Sequence, residues 1–379
     1  MGLFRLQRQT RSGAAGVSTT AFPADAVTEA SVDAPRRRYA PELLLAAGSV
    51  SFLVLVLLAA EGAMRWIEPR YLVDRPEGQL AQLHHYSEVY GWEPVPGVTA
   101  SVDGQRTTIN GRGLRGAEHP LARSGRRTRV MLLGDSVAFG YGVADEQTFA
   151  ALLEARGYEV VNLAVPGYGT DQELLRLERV GIAFAPDVLL LHFCLHNDFV
   201  DNASSKYFYD GLHPKPYFAV EGDALVLHRE HLHLSPLSKL GLWLHGRSHL
   251  FTRLVGPPPA VDEDWAARKA AALKDIEHAR DLTFRLVARV AKVAGLAGMP
   301  MTLVVHPGRR EFREGSPWLE ALKAAPVLAG VPMVDMGERF RERGLRIQEL
   351  TLDPIGHLSP AGHREAASVL SSVLPPPQR

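Results

Sequence analysis

Apolar and polar positions follow three regimes along this chain. In the first, Leu43 to Ala60 carries no charge at all. A run of about 18 such residues is the threshold for a helix that crosses a bilayer. Arg36-Arg37-Arg38 lies before it, and Trp66 follows as an interfacial anchor. The reading is a single-pass anchor over residues 41–66. By the positive-inside rule the three arginines stay cytoplasmic, and everything after residue 66 lies outside the inner membrane. A cleaved signal peptide and a buried core helix are the competing readings. A tail of some forty residues is long for a signal sequence, and a core helix usually carries polar positions.

The second regime starts at Arg129. Apolar runs without clean alternation occur at Arg129–Gly134, Tyr158–Val165, Asp187–Leu195, Met301–His306 and Val331–Met336. Helical periods separate them at Gln147–Arg156, Thr170–Phe184, Ala266–Leu296 and Ser359–Leu374. Thr170-x-x-Glu173 reads as a capping box, and Ser359-Pro360 as an N-cap with proline at the first helical position. Strands that are apolar throughout and alternate with helices predict a parallel sheet covered on both faces.

The interval 200–262 breaks this rhythm. It predicts a hairpin over Ala219–Leu227 around Glu221-Gly222-Asp223. An amphipathic helix over Ser235–Leu254 follows, ended by Gly256-Pro-Pro-Pro259. An insertion after a strand's carboxyl end lies over a site as a lid or substrate-binding element, or else is a surface elaboration.

The third regime has no long period. Residues 67–128 are rich in Gly, Pro and polar residues, with short alternating pieces such as Val98–Val102 and turn chemistry from Asn110 to Gly116. They read as a β-rich lead-in, with a plain linker as the alternative. Residues 1–40 read as a mobile cytoplasmic tail.

Composition narrows the function classes. With 379 residues, 46% hydrophobic and 22% charged, the chain can bury a full core. Formal net charge is zero, so nothing suggests a nucleic-acid partner. The single cysteine, Cys194, excludes an intramolecular disulfide and a cysteine-rich metal site. His228, His231 and His233 with Glu230 match no metal-ligand spacing, and no metal or other cofactor is expected.

Four segments carry chemistry. Gly134-Asp135-Ser136 ends the first strand of the body. Val161 to Thr170 ends the next and contains Gly167 and Gly169. Cys194-Leu-His-Asn-Asp198 ends the third. Asp353-Pro-Ile-Gly-His357 runs into the closing helix. Consecutive strand ends of a parallel sheet face one crevice. Ester hydrolysis needs a nucleophile, a base and donors for the oxyanion. Ser136, His357, and the Gly167 N–H with the Asn197 side chain supply those roles, and Asp353 orients the histidine.

With these residues in family order, the chain resembles the SGNH (GDSL-type) hydrolases over roughly residues 126–375. The resemblance implies a flavodoxin-like α/β/α sandwich, with the hydrolase-like part here at 129–375. It also implies ester or acyl chemistry without a metal, and an oxyanion hole from Ser136 N–H, Gly167 N–H and Asn197. The motif is not the Gly-x-Ser-x-Gly elbow, because position 138 is Ala.

There is one departure from the pattern. The family's acid stands three residues before the histidine, where this chain has Pro354. Asp353 is four before, so it serves if the chain bulges through 354–356; a backbone carbonyl or Asp335 is the fallback. His196, Asp198 and Arg309 are expected as substrate contacts, with a wall residue the plainer reading of His196. His306 and Arg310 read as parts of a solvated loop, and His363 as structural. The expected function is hydrolysis of O-acyl or O-acetyl esters on envelope or extracellular carbohydrate or lipid. An O-acyltransferase with the same serine and histidine, or a carbohydrate-binding protein on the same fold, are the alternatives.

Overall fold

The computed structural model describes residues 40–72, 76–123, 125–207, 212–255 and 275–378. The expected tail before residue 40, the Gly256–Pro259 stop and positions 266–274 of the long helical run lie outside the described residues.

The first described element is the helix Ala40–Ile67. Among the described residues, Pro41–Ile67 is the one segment long and apolar enough to cross a membrane, with mean hydropathy 2.6. Its leucines and valines from Leu43 to Leu58 are exposed. The lead-in follows as a helix, Pro76–Leu83, and two antiparallel hairpins. These pair β1 (His84–Ser87) with β2 (Gly91–Pro94), and β3 (Thr99–Val102) with β4 (Gln105–Thr108).

The body is a five-stranded sheet. Its strands are β5 (Arg129–Leu133), β6 (Glu159–Asn162), β7 (Val188–Cys194), β10 (Met301–His306) and β11 (Met333–Asp335). All neighbouring pairs are parallel, in the spatial order β6-β5-β7-β10-β11. Counting only sheet strands, that is 2-1-3-4-5, the flavodoxin-like order, whose progression across the sheet reverses between β5 and β7. Every residue of β5 and β7 is buried, as strands covered on both faces require. One core cluster packs the helix Ile276–Leu296 and Leu174 and Leu177 against one face. The other packs the closing helix Pro360–Val373 with Phe149 and Leu153 against the opposite face. The result is a three-layer sandwich with its switch point at the ends of β5 and β7.

Two local expectations are corrected. Gly169, not Thr170, caps the helix Thr170–Arg179; the side chain of Gln172 accepts from the Gly169 N–H, and Glu173 is buried instead. The expected single helix over Ser235–Leu254 is two helices, Pro236–Leu244 and His249–Val255. The break falls at Gly246, whose φ of +76° leaves the helical region and whose N–H goes to Thr252 Oγ1 at 3.0 Å. The long run ahead of β10 is helical from Ile276, capped by the Asp275 side chain on His278 N–H. The insertion's hairpin forms as β8 (Tyr217–Glu221) and β9 (Ala224–His228).

Candidate active site

The site lies at the switch point. β5 ends at Leu133, and the chain turns through Gly134 and Asp135 into the short helix Ser136–Phe139. Asp135 is fully buried, and its carboxylate accepts from Val137 N–H at 2.9 Å, which fixes the turn that carries Ser136. Ser136 is half-buried at the helix start.

The loop before the closing helix meets this turn. Ser136 Oγ is 2.8 Å from His357 Nε2, and His357 Nδ1 is 2.5 Å from Asp353 Oδ2. The imidazole that donates to Asp353 through Nδ1 leaves Nε2 free to accept the serine proton. The extra residue relative to the family spacing is taken up by a turn. Gly356 sits at φ +110°, where an added Cβ would lie 3.0 Å from Pro307 O. Asp353 Oδ1 then accepts from Gly356 N–H at 3.0 Å and His357 N–H at 3.3 Å.

Burial works against the imidazolium of His357. The hydrogen bond and charge of Asp353 overcome it, aided by Asp135 and by Asp103 from the β3–β4 turn, so its pKa is raised. For Asp353, burial pushes up, while His357 and the two N–H groups pull harder, so its pKa is lowered. Both shifts favour a neutral-pH pair with an ionised acid. Tyr141 lies tilted on the His357 ring at 4.8 Å between centroids.

Gly167 closes the other side. It sits at φ +78°, directly under the ring of Tyr207, so no side chain fits there. Among the described residues, neither Ser136 N–H nor Gly167 N–H has a protein acceptor. Asn197 caps the helix Asp198–Asn202 and is buried. Its Nδ2 lies 2.8 Å from Asp201 Oδ2 and 3.0 Å from Asp135 Oδ2, while its Oδ1 has no partner. The amide thus ties the nucleophile turn to a buried carboxyl web. Burial raises Asp201 to about 7 and Asp198 and Glu173 well above the usual range. Lys215 of the insertion, itself buried, pairs with Asp171 and donates to Asp201 O at 3.0 Å.

Several expected contacts are corrected. Asp198 is completely buried and accepts from Cys194 N–H at 2.8 Å, so it stands beneath the site, out of substrate's reach. Arg309 grips the acid loop: Nε donates to Thr351 Oγ1 at 2.8 Å, Nη2 to Thr351 O at 2.9 Å. His306 is buried rather than solvated, with Nε2 2.9 Å from Gly356 O, and burial drops its pKa to about 4. Arg310 is exposed and pairs with Glu314. Asp335 caps the helix Met336–Glu342 and pairs with Lys323, which removes it as a substitute acid. His196 stands near Glu311 as a wall residue, with its side chain 12% exposed. His363 accepts from Phe149 N–H at 3.1 Å inside the core.

Tyr141, Tyr207, Lys215 and Thr351 were not singled out from the sequence. Tyr141 stands inside the Gly140-Tyr-Gly142 motif, but an aromatic there carries no distinctive signal. Lys215, between two prolines, carries none.

The chain is similar to the structure of an acetylxylan esterase from Geobacillus stearothermophilus, with 15% identity and a TM-score of 0.38 over 67% of this chain and 95% of that one. It is similar to a lipase/acylhydrolase from Enterococcus faecalis at 16% identity and a TM-score of 0.35, over 66% and 99% of the two chains. No curated protein matches. The sequence profile of the GDSL-like Lipase/Acylhydrolase family matches residues 132–365, more than half of the chain. The chain belongs to that family, the SGNH hydrolases, and is an ester hydrolase.

Proposed function

We propose that this chain is a membrane-anchored serine esterase that removes O-acyl groups, acetyl foremost, from carbohydrate or lipid of the cell envelope. The observation that carries the proposal is the unbroken line from Ser136 Oγ through His357 to Asp353. In this mechanism His357 Nε2 takes the Ser136 proton as Oγ attacks the ester carbonyl. Asp353 holds the imidazole in the tautomer that can accept and stabilises the imidazolium. Ser136 N–H and Gly167 N–H hold the oxyanion, and Asn197 turns one amide proton from its carboxyl partners to join them. His357 protonates the departing alcohol, then activates the water that releases the acyl group from Ser136.

Anchoring rests on the exposed apolar helix Pro41–Ile67, which water would penalise along its whole length. By the positive-inside rule Arg36–Arg38 before it support a cytoplasmic N-terminus and a hydrolase outside the inner membrane. In the same proposal residues 67–128 form the lead-in and 129–375 the hydrolase-like domain. A non-catalytic carbohydrate binder needs no such triad, so the Asp353–His357 bond favours catalysis. The acyltransferase differs only in its acceptor.

The test is p-nitrophenyl acetate hydrolysis by the full chain in detergent, beside Ser136→Ala and His357→Ala. Each variant is expected to lose roughly 10³-fold or more in kcat, with little further loss in the double variant because the residues act as a unit. Wild-type activity that survives both changes defeats the serine mechanism. Adding a sugar acceptor and identifying the product separates hydrolysis from transfer.

A further inference from the structure

The last turns of the helix Ala40–Ile67 are joined to the insertion. Glu61 accepts from Ser248 Oγ at 2.7 Å and from the N–H groups of His249 and Leu250 at 3.0 and 2.9 Å. Arg65 pairs with Glu61 at 2.7 Å and donates to Arg247 O at 2.8 Å. Arg247 in turn donates to His84 O of the lead-in at 2.9 Å. A carboxylate that takes four donors is held, so this joint fixes the segment 247–250 beside the end of the long helix.

The helix Pro236–Leu244 leads straight into that joint. It meets β1 at Lys239, which lies 6.0 Å from the centre of the Tyr86 ring and pairs with Glu88 just past the strand. Along it, Leu237, Leu240 and Trp243 follow one another at three-residue spacing and are 77%, 48% and 55% exposed. Trp66 and Ile67, at the end of the long helix, are 85% and 64% exposed. Soluble surfaces rarely leave large apolar side chains grouped in this way. Tryptophan at the end of an apolar span is the usual mark of the headgroup level, where its ring is buried and its N–H stays wet.

We infer that the exposed face of Pro236–Leu244 rests in the lipid interface of the bilayer that holds the helix Pro41–Ile67. The inference rests on the proposed membrane reading of that helix. The occupant is lipid because the face is joined, through Arg247–Leu250 and Glu61–Arg65, to the end of a helix that is itself apolar and uncovered. An amphipathic helix in this position lies in the plane of the interface with its leucines below the headgroups. The insertion then seats the hydrolase on the membrane instead of leaving it tethered by a single flexible stalk.

The experiment uses the full chain reconstituted in phosphatidylethanolamine/phosphatidylglycerol vesicles. The one native cysteine, Cys194, is buried, so a nitroxide label goes selectively to an introduced cysteine. Labels are placed by Leu237→Cys and Leu240→Cys, by Leu53→Cys within the span, and by Glu320→Cys on an exposed helix. Collision rates are read with oxygen, which concentrates in lipid, and with a water-soluble nickel chelate. Labels at 237, 240 and 53 are expected to favour oxygen several-fold over the label at 320. Lipid access at 53 with water access at 237 and 240 overturns the inference and leaves the anchor standing. Water access at 53 overturns the membrane reading and the inference with it. Labels at 237 and 240 shielded from both reagents mean that protein covers the face, a second copy being the first occupant to test, and that also overturns it.

Discussion

In the proposed mechanism Asp353 concentrates the chemistry of the site in one side chain. It orients His357, holds the imidazole in the tautomer that can accept from Ser136, and raises the pKa of that imidazole against the pull of burial. The base works only when neutral, so activity rises as pH climbs through the raised His357 pKa. The acid limb of kcat/KM therefore lies above the ordinary histidine value of about 6.5. Asp353→Asn is expected to lower kcat by roughly 10²–10⁴-fold, through the wrong tautomer, and to move that limb to lower pH. A pH–rate profile of p-nitrophenyl acetate hydrolysis checks both effects. A limb that stays in place would mean that Asp135 and Asp103, not Asp353, set the base. Gly167 makes a second demand: Gly167→Ala forces a Cβ into the Tyr207 ring at a positive φ, and kcat is expected to fall far more than KM changes.

At the scale of elements, the decisive feature is a loop held from outside. The acid loop is clamped by Arg309 on Thr351, while Arg309 N–H also donates to Pro354 O at 3.1 Å. A residue that contacts substrate and one that positions the acid separate in kinetics. Arg309→Ala is expected to lower kcat by roughly 10- to 100-fold with KM nearly unchanged, because small misplacements of a catalytic group are costly. A raised KM with intact kcat would restore the substrate-contact reading.

This loop also shows what the sequence could and could not disclose. The buried strands were legible because β5, β7 and β10 are apolar runs of strand length, and the strand ends placed Ser136 and Asn197 in one crevice. Asp353 was legible from its nearness to His357, although the bulge that aligns it needs Gly356 at a left-handed φ. Asp198 and His306 were misread for one reason. A polar residue after a strand looks the same whether its side chain faces the crevice or turns under it, and only the fold decides. The break at Gly246 was hidden because leucines continue at helical spacing on both sides.

On the scale of the whole molecule, the sheet, the nucleophile turn and the insertion meet in one buried web. Asp135, Asp171, Glu173, Asp198 and Asp201 are all buried, and Asn197 and Lys215 lie among them. Burial disfavours several carboxylates in one place, so part of the web is held protonated. Lys215 supplies the single buried cation seen to pair there among the described residues. Lys215→Met is expected to cost about 3–5 kcal/mol, because it leaves Asp171 buried without its counter-charge. Denaturant unfolding checks it, and a loss below about 1 kcal/mol would mean that Asp171 is neutral in the folded state. The pH dependence follows from Asp201, raised to about 7 by burial. A carboxyl whose folded pKa is raised favours folding fully below its unfolded pKa, near 3.9, and loses that contribution as pH rises through the folded value. Stability is therefore expected to fall between about pH 4 and pH 7, with a slope approaching one proton, or about 1.4 kcal/mol per pH unit in the steep region, and melting temperature follows it. Asp201→Asn keeps an acceptor for Asn197 and cannot titrate, so it should flatten that slope. An unchanged slope would move the titrating proton to Glu173 or Asp198, which share the web and are shifted the same way.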